Sequence, residues 1–114
     1  MPGFSFTGFS RKNYTYHLTD LAIAAPLPLQ GGNYIFATGV AINPIPVFVE
    51  AADSIRKSLS DNGQMRWYAE NVLNARLFYF RPNPDARARA AEKADLIMAY
   101  KPQMNDPQTG KFSQ

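Results

Sequence analysis

A chain of 114 residues can bury one core and not two, and 46% hydrophobic against 18% charged residues excludes a disordered chain. A net charge of +3 permits a phosphate-binding face without demanding one. The absence of cysteine excludes disulfides, thiol catalysis and cysteine-ligated zinc, and no apolar run reaches membrane-spanning length, so a soluble, cytoplasmic protein with no membrane contact is expected.

In chain order, Met1 to Asn13 show no periodicity and no apolar run of signal-peptide length, and are expected to form an arm on the domain or on a partner. Tyr14 to Leu18 (YTYHL) alternates as a short edge strand. The stretch from Thr19 carries two prolines and closes on Gly31-Gly32, which predicts a loop. Residues 1–30 therefore read as arm, edge strand and loop, residues 31–105 as the domain, and residues 106–114 as a loose polar tail.

The stretch 31–59 organises the domain. Tyr34 and Phe36 alternate with Ile35 and Ala37, and Val47 and Val49 with Phe48 and Glu50, giving two strands. Pro44 and Pro46 lack amide donors, so they belong in a loop between the strands or on a sheet edge. Ala51, Ala52, Ile55 and Leu59 then recur at helical spacing. Ser60-Asp61-Asn62-Gly63 stops that helix, Met65 to Leu73 makes another, and Asn74 closes it. Arg76 to Arg81 (RLFYFR), apolar on both faces, reads as a central strand. Asn83 is the candidate cap of a last helix that runs from about Pro84 to Met98 or Tyr100 and stops before Pro102. The expected fold is α/β (α+β), a mixed sheet of three or four strands flanked by three helices, in the order β-β-α-α-β-α.

That order, together with three short motifs, resembles the GIY-YIG endonuclease superfamily. Gly32-Asn33-Tyr34 stands at the GIY signature, Phe48-Val49-Glu50 at the YIG signature, and LIMAYKPQMN from Leu96 to Asn105 at the family's closing pattern. The resemblance implies metal-assisted phosphodiester hydrolysis using two tyrosines, an arginine on the first helix and a metal-binding glutamate on the last. Position by position, Tyr34 and Asn105 remain, the second tyrosine becomes Phe48, the arginine becomes Ser58 and the glutamate becomes Lys93. Phe48 has no hydroxyl, and a lysine repels a magnesium ion rather than ligating it. Along the last helix Lys93 falls in the apolar stripe of Ala86, Ala90, Ile97 and Tyr100, with Glu92 outside it, so its ammonium needs a partner; the resemblance implies that Glu50 shares its groove, and a Lys93–Glu50 pair in place of a metal site is expected.

No confident catalytic residue and no metal site follow from this reading. The expected function is a catalytically inactive GIY-YIG-like domain that binds DNA or RNA without cleaving it, through Arg56, Lys57, Arg81, Arg87, Arg89 and Lys93. A first alternative is a protein-interaction or structural module that docks on a partner or on a second copy through Phe4, Phe6 and Phe9 of the arm. A second is a divergent nuclease whose metal site is rebuilt on Glu50 or Glu92, the one case that calls for magnesium. His17, alone in a strand, reads as structural, and Trp67 reads as helix packing rather than a base-stacking platform.

Overall fold

The computed structural model describes residues 3–21 and 27–106. Five strands, β1 (Gly3–Thr7), β2 (Asn13–Thr19), β3 (Gly32–Val40), β4 (Asn43–Ala52) and β5 (Leu77–Pro82), form one sheet in the order β1-β2-β5-β3-β4. Every pairing is antiparallel, so the sheet is larger than the three or four strands expected, and it is not mixed. The extra strand comes from the expected arm. Phe4 and Phe6 point inward while Ser5 and Thr7 point out, a two-residue alternation short enough to pass for irregular chain. β2 consequently lies inside the sheet, between β1 and β5, rather than at its edge.

β3 and β4 form a hairpin turned at Ala41 and Ile42, with Gly39 at a φ of 87° that a side chain adopts only under strain. Pro44 and Pro46 sit within β4, not in a loop. They fit there because β4 is the outermost strand and because the register shifts between Phe36 and Ala37, where a bulge interrupts the ladder. Ala51 and Ala52 extend β4 rather than opening the helix. Ser54, whose hydroxyl accepts from Lys57 N, sets the start of α1 (Ile55–Asp61).

α2 (Gly63–Asn71) follows after Asn62, and Asn74 in the left-handed region (φ 62°) ends the turn that leads into β5. β5 takes the centre of the sheet, as its two apolar faces require. α3 (Ala86–Tyr100) is capped by Asp85, which accepts from Arg87 N and Ala88 N. Asn83, the expected cap, instead accepts from Asp85 N one step earlier. Lys101 in the left-handed conformation and Pro102 close α3.

The helices cover opposite faces. α1 and α2 bury Ile55, Leu59, Met65 and Ala69 against Tyr34, Phe36, Phe48 and Phe78. α3 places Leu96 against Phe6, Tyr16, Ile35, Val49 and Tyr79. After α3 the chain passes round the β4 edge through the short turn Gln103–Asn105, and Met104 inserts into the core on the α1/α2 side. No helix of the described residues is long and apolar enough to cross a membrane.

Candidate functional site

The positions that carry the family resemblance gather round the C-terminal half of β4. Tyr34 and Glu50 are direct register partners, and the Tyr34 hydroxyl shares a 2.8 Å hydrogen bond with Ser58 Oγ on α1. Tyr34 is fully buried, and burial raises its pKa, so its phenol stays protonated. The Phe48 ring lies 6.4 Å from the Tyr34 ring in the same core. A phenol closed off from solvent and a phenyl ring pack in the core here.

Lys93 Nζ donates to Glu50 Oε1 at 2.7 Å, the pair expected from the sequence, and the same oxygen accepts from Ala51 N at 2.9 Å. Both side chains are about four-fifths covered. Asn105 clasps the edge strand: its Oδ1 accepts from Val49 N at 2.8 Å and its Nδ2 donates to Val49 O at 3.0 Å. One carboxamide therefore satisfies both outward main-chain groups of an edge residue, as a neighbouring strand would.

Which face of α3 turns inward differs from the sequence reading. Arg89, Glu92 and Leu96 are its buried residues, while Ala86, Ala90 and Met98 are exposed and Lys93 lies at the border. Glu92 enters the interior because donors meet it there: Tyr16 Oη at 2.5 Å and the Arg81 guanidinium. Burial raises the Glu92 pKa against the opposing effects of Tyr16 and Arg81, and raises that of Tyr16 well above its ordinary value. Beside them the Tyr14 ring sits under Arg81, and its hydroxyl donates to Asp95 Oδ2 at 2.8 Å, with burial pushing the Tyr14 pKa up to about 12. Asp95 also accepts from Ser10 N and Ser10 Oγ, clamping the β1–β2 turn to α3, and the Ser10 hydroxyl lowers the Asp95 pKa. The sequence reading passed over this network. Its signal was a pair of tyrosines two residues apart on a strand and a pair of acids three apart on a helix, each pair on one face.

A divalent cation does not fit these donors. Glu50 is bound to an ammonium, Glu92 lies on the other face of the sheet among Tyr16 and Arg81, and among the described residues no three His, Asp or Glu side chains converge. The six cations nominated for phosphate contact are also dispersed. Arg56 and Lys57 project from α1 on one face, with Arg56 donating to Leu27 O and Lys57 paired with Asp61. On the opposite side, Arg81 pairs with Glu92 and Lys93 with Glu50, while Arg89 is buried against Asp53 and Asn83 O. Arg87 alone of the six is exposed without a side-chain partner among the described residues.

Among the described residues two hollows are open to a ligand: a polar one of about 370 Å³ between α2 and the start of β5, lined by Arg66, Glu70, Asn71 and Arg76, and a more apolar one beside α3. A groove of about 740 Å³ runs along the outer side of α3. Ala90, Ala94, Ile97 and Met98 make one wall, Ala51 and Pro102 the other, and Lys93, Lys101 and Asp106 the rim. Comparison with family models, with curated proteins and with solved structures finds no match for the chain.

Proposed function

We propose that the chain is a non-catalytic interaction domain, a GIY-YIG-like scaffold whose family positions have become structural, and that it binds a segment of another protein along the α3 groove. The observation that carries this reading is the groove itself, with Met98 left 55% exposed on an α-helix whose opposite face is packed. Apolar surface kept at the mouth of a wide groove marks a docking site more often than a solvated face. Its rim bears on the partner's chemistry: among the described residues of the rim Lys93 is already paired, and Lys101, on the same rim as Asp106, is the cation that can meet an acid. The occupant is an apolar peptide segment that carries an Asp or Glu.

The order β3-β4-α1-α2-β5-α3 and the gathering of Tyr34, Phe48, Ser58, Lys93 and Asn105 round β4 support the family kinship. The same contacts support loss of hydrolysis, since each family position is engaged in holding the fold. Nucleic-acid binding draws less support, because its six cations occupy two faces and five of them are already engaged. The Phe4 and Phe6 rings pack at 4.8 Å against this domain's own core, which leaves Phe9 as the one exposed ring of the three.

Selection from a random peptide library against the immobilised domain tests the proposal. Enriched peptides are expected to join two or three apolar residues to an acid, to bind the wild type and Trp67→Ala alike, and to lose binding to Met98→Glu. Enrichment that survives Met98→Glu overturns it.

A further inference from the structure

The two edges of the sheet are treated differently. At β4, Pro44 and Pro46 offer no donors and Asn105 occupies both free groups of Val49, so little of that edge is left for another strand. At β1, Gly3–Thr7 contains no proline and no charged side chain, and neither does its neighbour β2. Edges left in this state pair with other strands.

The geometry of β1 identifies which strand. Gly8 N donates to Lys12 O at the hairpin turn, whereas Thr7 N reaches Tyr100 Oη at 3.1 Å. Main-chain groups alternate along an antiparallel pair, so those of Gly3, Ser5 and Thr7 face away from β2. The strand is also nearly symmetric about Ser5, with a phenylalanine on each side. Turned by a two-fold axis through Ser5, a second β1 lies antiparallel to the first. Ser5 then faces Ser5, Phe4 faces Phe6 on the α3 side, and Gly3 faces Thr7. About four main-chain hydrogen bonds form without disturbing the Tyr100 contact. The half-buried Phe4 rings are covered, and no like charges meet.

We propose that two copies of the chain associate through β1, antiparallel about Ser5, joining their five-stranded sheets into one. The α3 groove lies beside β4 at the other edge of the sheet, so this association stands or falls independently of peptide docking.

Sedimentation equilibrium at about 100 µM, in the affinity range of a modest edge contact, is expected to give twice the 12.7 kDa chain mass. Ser5→Lys sets two ammonium groups on the axis and is expected to give a single chain mass, with an unchanged circular dichroism spectrum because Ser5 is exposed. The chain has no cysteine of its own, so Ser5→Cys reports the axis directly. The paired Cα atoms would stand about 5.5 Å apart, within disulfide reach. Two copies of Thr7→Cys would stand about 14 Å apart and should not cross-link. A single chain mass for the wild type, a dimer that persists in Ser5→Lys, or equal cross-linking of Thr7→Cys and Ser5→Cys overturns the proposal.

Discussion

Glu92 keeps its carboxylate at 2% exposure because the Tyr16 hydroxyl and the Arg81 guanidinium both reach it. Removing the carboxylate with Glu92→Ala leaves the buried Tyr16 hydroxyl without its acceptor and the part-exposed Arg81 without its acid, and should cost about 3 kcal/mol in urea denaturation. Glu92→Gln keeps an acceptor for Tyr16 and should cost less. The pH dependence has a definite sign. Burial holds the Glu92 carboxyl above its ordinary 4.5, so between that value and the raised one the folded chain binds a proton that the unfolded chain has released. Stability should therefore fall as pH rises through that window, and Glu92→Gln should flatten the slope. Asp95 works in the opposite sense. Its pKa is lowered, so its contribution is present above the ordinary 3.8 and is lost as pH falls through the folded value. Asp95→Asn should reduce that acid-side loss in denaturation curves taken from about pH 5 downward. At Gly8 an added Cβ would run into the Asp95 carboxylate, so Gly8→Ala should loosen the β1–β2 turn and speed amide exchange at Ser10.

At the scale of elements, β4 depends on a side chain from beyond α3. Asn105→Ala strips both partners from Val49 at a buried site and should cost about 2 kcal/mol, measured by urea denaturation. The elements themselves were mostly legible. β3, β4 and β5 announced themselves through alternation or a two-sided apolar run, and α2 and α3 through their stop signals at Asn74 and Pro102. β1 was not legible as a strand, because five residues bounded by glycines give only two phenylalanines to establish a period. The inward face of α3 was missed for a different reason. Apolar periodicity assumes that charges lie outside, and here Arg89 and Glu92 are inside because Asp53, Asn83, Tyr16 and Arg81 compensate them. The Lys93–Glu50 pair could be anticipated from the family resemblance, which puts both positions in one groove, and not from the stripe, whose Ala86 and Ala90 are exposed. The Asn105 clasp could not, since its partner is main chain and leaves no mark in the sequence.

At the scale of the molecule, the six cations expected to contact phosphate do not share one face. Cations on α1 and α3 lie on opposite sides of the sheet, and most are held by acids or carbonyls, whereas the open surface along α3 is apolar. The proposed function has the molecule meet its partner by burying apolar area rather than by releasing counterions from a phosphate backbone. The proposed function requires that the positions round β4 serve the fold alone. The measurement that tests it most directly is a cleavage and binding assay on labelled single- and double-stranded DNA and RNA, with and without magnesium or manganese, across a salt series. No cleavage, and no complex whose affinity falls steeply with salt, is the predicted result. Metal-dependent cleavage abolished by Glu50→Ala, or a salt-sensitive complex lost in Arg87→Ala, would contradict it.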